Sequence, residues 1–415
     1  MQNSIFIPNK KIGTYKHISS NPLSKSLITI IIVSLAIAPS FALGKGNMNL
    51  LLVAVLGLSP IIIILYKRLY YSDILLLLFM GSIVATPLIF HSESMRWSTV
   101  MYSYMFSLTF IAYNQLIHRN YFSVTDYMKV LKYLIYAYFI VLLIQQFCVL
   151  LGLPIFNLSN YDPITPWKLN SLSAEPSHSA RIVALLMFCY ITIKELIINR
   201  TYNFRRDWLE DKWVWVSFLW TMLTMGSGTA FLFLSIIFFK FLNLKNIIML
   251  IFLTTVIVFI VQIFGIDSFV RTFKFFNSVL TLDVRTMIEA DHSASVRVVP
   301  FILVSQMVDF TTVNGWFGHG IDYTGTFLSD IMPGLPEGTS GGGMFQVWLE
   351  YGFLPFFIFV AYSFFTIYRK KDYIGVVFWF LLVFMYGVNN QMVWLTLLAL
   401  FTNNYFIKLR KIDEK

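Results

Sequence analysis

The chain alternates between apolar blocks of about 20 residues and short polar segments. A helix of that length crosses the hydrocarbon core of a bilayer. The pattern therefore predicts an all-α polytopic transmembrane helical bundle of about twelve spans. The predicted spans cover residues 27–43, 48–66, 73–90, 97–117, 130–151, 179–198, 213–225, 228–243, 246–264, 344–367, 373–388 and 391–407. A tight turn at 225–229, Met-Gly-Ser-Gly-Thr, is expected between the two shortest spans.

The composition agrees with a membrane protein and excludes a soluble globule. Of the 415 residues, 57% are hydrophobic and 13% are charged, whereas a soluble domain carries about 25% charged residues. Cys148 and Cys189 both lie in apolar blocks, so neither a disulfide framework nor a zinc site is expected. The sequence has no P-loop, no dinucleotide fingerprint and no HExxH motif. We therefore expect neither a cofactor nor a catalytic metal.

The basic residues predict how the bundle is oriented. Placing both termini in the cytoplasm assigns 23 Lys and Arg to cytoplasmic segments and 8 to outer segments, each counted with the adjoining span ends. Bacterial inner-membrane proteins carry this bias. Since the positive charges lie in short loops, the net charge of +10 reflects topology and no nucleic-acid partner is expected.

The predicted organisation has five parts. A cytoplasmic tail, 1–26, precedes spans one to nine, 27–264, and a large extracytoplasmic loop, 265–343, precedes spans ten to twelve, 344–407, and a second cytoplasmic tail, 408–415. The first span is expected to be retained as a signal anchor. The large loop contains two stretches with helical character, 268–280 and 295–313, followed by a Gly/Pro-rich segment, 315–343. Translocated loops of this length usually carry function.

A first candidate site closes the other long outer loop, 152–178. Pro176 suits the first turn of a helix. In that helix Glu175, His178 and Arg181 would lie three residues apart, near one face. A carboxylate, an imidazole and a guanidinium there could serve as base and phosphate clamp. The alternative is a helix cap with an interfacial arginine.

Two further candidates lie in the large loop. Arg297 stands among apolar residues, where an arginine either extends to water or binds an anion with two hydrogen bonds. Because the loop has eight carboxylates and four basic residues, any phosphate recognition must be local. His319 lies between Gly318 and Gly320, which allow a ligand close to the backbone. A lone histidine in a glycine turn is more often structural.

With these motifs, the chain resembles the bacterial O-antigen polymerase and ligase superfamily. The resemblance covers most of the chain: twelve spans, a long outer loop before the last three, and several short motifs. Glu175-Pro176-Ser177 resembles a segment common in the polymerases, and Ser227-Gly228-Thr229 resembles their turn between the middle spans. Arg297 followed by Phe317-Gly318-His319-Gly320 is similar to the loop arginine that precedes a G-x-G. Glu350-Tyr351-Gly352 resembles the Glu-x-Gly after it.

Two departures favour a polymerase over a ligase. Ligases usually carry an arginine in the middle-span turn, where this chain has Gly228. They also carry a histidine about eleven residues before the glycine that corresponds to Gly352, where this chain has Gly341. A ligase that transfers glycan to the lipid A core remains the alternative within the class, and a polysaccharide transporter or flippase is the alternative outside it.

The resemblance implies a GT-C-like, metal-independent, inverting glycosyltransferase. It would polymerise undecaprenyl-diphosphate-linked oligosaccharides for O-antigen or another surface polysaccharide. The implied location is the bacterial cytoplasmic (inner) membrane, multi-pass, with membrane lipids and a chain-length regulator as further partners. Arg297 and Arg181 would then neutralise the leaving diphosphate. Glu175 is the first choice for the general base, with His178 or His319 second.

Overall fold

The structure is a computed structural model. It describes residues 6–7, 22–37, 42–43, 46–47, 50–119, 122–157, 166–241, 274, 277–290, 292–331 and 341–413. Three predicted segments lie wholly or mostly outside this part of the chain. They are the span at 246–264, the first loop helix at 268–280 apart from residues 274 and 277–280, and the N-terminal tail.

The described residues are overwhelmingly helical, which confirms the all-α prediction. The helices are α1 (Pro22–Ala36), α2 (Leu50–Tyr66), α3 (Tyr71–Phe90), α4 (Trp97–Ile117), α5 (Val124–Leu151), α6 (Pro176–Ile198), α7 (Phe204–Thr224), α8 (Gly228–Phe239), α9 (Val284–Ala290), α10 (His292–Met307), α11 (Val313–Phe317), α12 (Tyr323–Ile331), α13 (Met344–Tyr351), α14 (Phe353–Ile367), α15 (Tyr373–Trp379) and α16 (Gln391–Asp413). A 3₁₀ turn covers Ser92–Ser94, and a π-helical turn, Phe380–Phe384, continues α15.

Four strands of two residues each complete the described structure. They are β1 (Phe6–Ile7), β2 (Ala42–Leu43), β3 (Gly46–Asn47) and β4 (Leu69–Tyr70). β1 pairs in parallel with β4, and β2 pairs antiparallel with β3. These short ladders bind chain segments next to helix ends and form no layer of their own.

Three of these helices, α3, α5 and α16, are long and apolar enough to cross a membrane. Shorter apolar helices accompany them, among them α1, α8 and α14. Helices of this length and composition indicate a membrane protein.

The core of the bundle lies around α4, α6 and α16. Tyr113, Leu185 and Leu398 from these helices are fully or almost fully buried. The peripheral helices instead expose apolar side chains, for example Ile64 on α2 and Leu150 on α5, which are 66% and 65% exposed. A helix that is apolar on all of its faces and has one of them exposed is suited to contact with lipid.

Local sequence explains several helix ends. Ser123 and Asp126 form a reciprocal capping box at the start of α5, and Gly152 ends α5 with a φ of +64°. The Met-Gly-Ser-Gly-Thr segment is a turn between α7 and α8, as predicted, with Gly226 at a φ of +66°. Glycine adopts this left-handed conformation without the cost that a Cβ imposes.

The predicted span 344–367 is divided in the structure. Gly352, with a φ of +92°, separates α13 from α14. A Cβ at this position would overlap the carbonyl group of Trp316. The break therefore arises where the large loop lies against the chain, and a run of apolar residues alone does not predict it.

Contacts between helix ends form two groups. In the first group, Gln391 at the start of α16 donates to the carbonyl oxygen of Leu35 at the end of α1 (2.7 Å). We call this group the Tyr386 end, because Tyr386 lies in the turn that leads into α16. The Tyr138 hydroxyl donates to the carbonyl oxygen of Ala36 (2.6 Å). The second group, the Lys25 end, includes the ion pair between Lys25 of α1 and Asp126 of α5 (2.6 Å).

Candidate functional site

The start of α6 forms the corner that the sequence predicted. Pro176 occupies the first turn of the helix and Glu175 is the residue that caps it. The Ser177 hydroxyl donates to Oε2 of Glu175 (3.1 Å). Glu175 and His178 are both half-buried. The helix start predicted near Pro176 is therefore confirmed, with Glu175 at the N-cap position and His178 and Arg181 within the first two turns.

Arg181 is buried, with 4% of its surface exposed. Its guanidinium carbon lies 5.0 Å from the centre of the Tyr386 ring, a cation–π contact. Tyr386 follows the π-helical turn after α15, so this contact joins α6 to the turn that leads into α16. Burying a guanidinium is costly unless other groups compensate its charge. The cation–π contact with Tyr386 supplies part of that compensation.

The loop before α6 is held by buried hydrogen bonds. Asn170 donates to the carbonyl oxygen of Ser173 (2.6 Å), and Gln145 of α5 accepts from the backbone N–H of Ser171 (2.8 Å). The Ser179 hydroxyl donates to the carbonyl oxygen of Asn170. Such support fixes the orientation of the first turn of α6, which a binding site needs.

The turn between α7 and α8 lies beside this corner. A Cβ on Gly226 would stand 3.5 Å from the carbonyl oxygen of Trp167 and from the Cα of Lys168. Helices α6 and α8 pack against each other. The turn that leads into α8 therefore lies against the loop that leads into α6.

A second region of interest, which we call the His319 junction, joins the large loop to α13. The backbone N–H of His319 donates to the carbonyl oxygen of Leu349 (2.8 Å), and that of Gly320 donates to the carbonyl oxygen of Glu350 (3.2 Å). A Cβ on Gly318 would overlap the Glu350 carbonyl group. The segments Phe317-Gly318-His319-Gly320 and Glu350-Tyr351-Gly352, identified separately in the sequence, are thus in direct backbone contact.

The His319 ring lies between neighbours from two elements. It stacks on the Tyr323 ring at 4.4 Å between centroids, and its Nδ1 lies 3.3 Å from Nδ2 of Asn314. Burial lowers the pKa of His319 below its usual 6.5, and the charge of His91 lowers it further. At neutral pH the imidazole is therefore neutral, so one ring nitrogen can accept a proton.

The short connection between α3 and α4 docks onto the same junction, which the sequence did not predict. His91 Nε2 lies 2.8 Å from the carbonyl oxygen of Gly318. Arg96 forms an ion pair with Asp322 (2.7 Å). A Cβ on Gly320 would overlap the Ser94 hydroxyl. The large loop is thus attached to the end of α3 as well as to α13.

Glu350 is a carboxylate that the sequence placed inside a span and gave no chemical role. It is 2% exposed, and Gln346 donates to its Oε1 (3.0 Å). α13 packs among the loop helices α10, α11 and α12, so Glu350 belongs to the docked loop. Desolvation raises the pKa of Glu350 from 4.5 to about 7, and hydrogen bonding from Gln346 opposes this rise. The sequence signals were a glutamate in an otherwise apolar block and the Glu-x-Gly motif of Glu350-Tyr351-Gly352.

Gln346 also lies between the corner at the start of α6 and the junction of the large loop with α13. Its Oε1 lies 3.2 Å from the position of a Cβ on Gly387, next to Tyr386. Tyr386 in turn contacts Arg181. Gln346, the backbone at Gly387 and the adjacent Tyr386 therefore link Glu350 to the corner of α6.

The carboxyl of Glu350 predicts a pH dependence of stability. Its folded pKa is raised above the usual value, so the native state holds the proton more tightly than the unfolded chain. Its contribution to stability is full below pH 4.5 and is lost as pH rises through about 7. We expect the unfolding midpoint of the purified protein to fall between pH 5 and 8. Glu350→Gln should flatten this profile, while Glu289→Gln, at a site with a 66% exposed side chain, should leave it unchanged. Equal slopes in Glu350→Gln and the unsubstituted protein would contradict the assignment.

Arg297 lies in α10, in the turn before Pro300; its side chain is outside the described part of the structure. Pro300 and Val304 pack against Gly341 and Gly342, where a Cβ would stand 2.5 Å and 2.8 Å away. A Cβ on the next residue, Gly343, would stand 2.5 Å from the carbonyl oxygen of Phe384. The backbone of α10 is therefore joined through the glycine run to the turn that holds Tyr386.

The described part of the chain contains no group of three or more His, Cys, Asp or Glu side chains that could hold a metal ion. No family model, no curated protein and no solved structure matches this chain.

Proposed function

We propose that this protein polymerises undecaprenyl-diphosphate-linked oligosaccharide repeat units on the outer face of the bacterial cytoplasmic membrane. In this proposal it is a metal-independent inverting glycosyltransferase with about twelve spans and both termini in the cytoplasm. The observation that carries the proposal is Arg181, a buried guanidinium at the end of the bundle where the large loop docks.

The distribution of charge supports this orientation. The Lys25 end includes Lys25. On that side Arg200 lies in the connection between α6 and α7, and Arg205 and Arg206 lie in the first turn of α7. Positive residues are retained on the cytoplasmic side. The Tyr386 end would then face outward, where lipid-linked repeat units are presented.

Anion recognition is the chemical need that this corner meets. A diphosphate leaving group bears concentrated negative charge, and a guanidinium can bind it through two parallel hydrogen bonds. The N-terminus of α6, the helix that carries Arg181, adds positive partial charge and backbone N–H groups. The site would thus stabilise charge as it develops on the diphosphate.

The proposed reaction is a single displacement. An acceptor hydroxyl oxygen attacks the anomeric carbon of the donor sugar, and the bond from that carbon to the lipid diphosphate breaks. Glu175 takes the acceptor proton, with His178 and His319 as alternative bases. The diphosphate leaves with the bonding electron pair, and Arg181 and Arg297 neutralise it. The donor is already activated, so no nucleotide is required.

The role of Arg297 predicts a loss of polymer in cells. Removing one positioned charge-stabilising donor typically costs about 100- to 1,000-fold in rate. In a strain whose own gene is deleted, Arg297→Ala should leave single repeat units on the surface glycan and no long polymer on gels. Arg297→Lys should also be poor, because an ammonium does not reproduce the fork geometry. Membrane levels of each variant, measured by immunoblot, serve as the control.

The same gel separates the alternatives. Normal chain lengths in Arg297→Ala would remove this residue from the mechanism. Loss of a ligase leaves the lipid A core bare, whereas loss of a polymerase leaves single units attached. A bare core in the deletion strain would therefore contradict polymerisation.

A further inference from the structure

An aromatic surface covers the outside of the docked loop. It consists of Phe90 at the end of α3, Phe310, Trp316 and Phe317 around α11, and Phe353 at the start of α14. Phe90 and Phe317 stack with centroids 3.9 Å apart, and Trp316 contacts Phe353 at 5.4 Å. Phe310 and Trp316 are 51% and 48% exposed although they are large and apolar. We call this set the α11 surface.

The α11 surface continues the apolar surfaces of two helices. On α3, one of the helices long enough to span a membrane, Ile89 is 71% exposed. On α14, Leu354 and Phe357 are each 56% exposed. Helix α11 packs against both α3 and α14. An apolar surface of this kind marks an interaction site, and here it is an extension of helix faces suited to lipid.

Polar groups limit how deep this surface can enter the bilayer. The loop before α11 contains Asp309, whose carboxylate accepts from the backbone N–H and the hydroxyl of Thr311 (both 2.8 Å). These bonds lower the pKa of Asp309, so it stays ionised and must remain in water. Thr312 then caps α11 by accepting from the N–H of Gly315 (3.0 Å). The segment therefore places a carboxylate and a polar helix cap next to the aromatic side chains.

The Trp316 indole also suits an interfacial position. Its N–H donates to the carbonyl oxygen of Phe310 (3.0 Å), so the ring can leave water without an unsatisfied donor. Tryptophan and other aromatic residues concentrate where headgroups meet acyl chains.

We propose that the α11 surface inserts into the membrane–water interface and anchors the large loop to the bilayer. The occupant of this surface is lipid, at the boundary between headgroups and acyl chains. This anchoring would hold the His319 junction at the level of the headgroups. The proposal concerns membrane attachment and does not depend on the proposed function.

Spin labelling tests this directly. Val313 on α11 is 68% exposed, and a label there should lie in lipid. The background variant is Cys148→Ala; Cys189 is fully buried and can stay. Labelled Val313→Cys would be reconstituted in phosphatidylcholine vesicles. Collision rates with oxygen, which dissolves in lipid, and with a water-soluble nickel complex would then be measured.

The expected ratio of oxygen to nickel collisions is severalfold higher at Val313→Cys than at two controls. Thr311→Cys lies in the polar loop two residues away, and Arg285→Cys lies on α9, where the arginine side chain is 89% exposed. A nickel accessibility at Val313→Cys equal to that of the controls would place α11 in water. Shielding from both reagents would mean that protein covers the surface. Either result would overturn the proposal, and neither would bear on polymer formation.

Discussion

Replacing Arg181 by methionine is expected to lower polymer formation by about 100- to 1,000-fold, the usual cost of one lost charge-stabilising donor. Methionine fills much of the space of the arginine stem but carries no charge, so packing beside Tyr386 should be largely retained. Arg181→Lys should recover little activity, since a point charge cannot bind a diphosphate in two-pronged geometry. Polymer formed per minute by purified protein is the measurement.

A matched arginine separates a local from a general charge effect. Arg285 carries the same charge on the large loop, but its side chain is 89% exposed and pairs only with Glu289 among the described residues. Arg285→Met should keep the rate within about twofold, because exposed ion pairs contribute little. Equal losses in the two variants would mean that Arg181 has no specific role.

Replacing Gly318 by alanine is expected to undock the large loop. Gly318 has a φ of +80°, and a Cβ there would overlap the backbone of Glu350. Overpacking typically costs about 1–3 kcal/mol, and an unfavourable backbone conformation adds about 1–3 kcal/mol. The loop should then become more sensitive to limited proteolysis between α10 and α13, and the unfolding midpoint should fall.

Gly81 supplies the control for this substitution. It lies inside α3, and apart from its chain neighbours and the nearby backbone of that helix, no described atom comes within 4 Å of a Cβ placed on it. Gly81→Ala should leave the midpoint unchanged or raise it slightly, because alanine reduces the freedom of the unfolded chain. Proteolysis of Gly318→Ala at the same rate as Gly81→Ala would contradict the backbone contact between Gly318 and Glu350.

Local sequence patterns predicted the helices well. Apolar blocks marked most of the helices between α1 and α8, and Pro176 marked the first turn of α6. These helices depend on residues that are close together in the sequence, and local sequence patterns report on such residues. Helix α7 begins at Phe204, nine residues before the predicted span, because its first turns are charged and do not belong to an apolar block.

Contacts between distant segments could not be predicted in this way. The break at Gly352 depends on Trp316, and the docking of Arg96 onto Asp322 joins residues far apart in sequence. Glu350 is an example of such a contact. The sequence shows its motif, but its burial results from the loop packed over it. The three candidates at α6 were predicted together because they share one helix.

The most direct test of the account is an assay with the purified protein in detergent, supplied only with undecaprenyl-diphosphate-linked repeat units. Neither a nucleotide nor an added metal ion should be needed. The account predicts a ladder of products that lengthens with time and that is lost in Arg181→Met. A folded protein that leaves the repeat units single would contradict polymerisation as its activity.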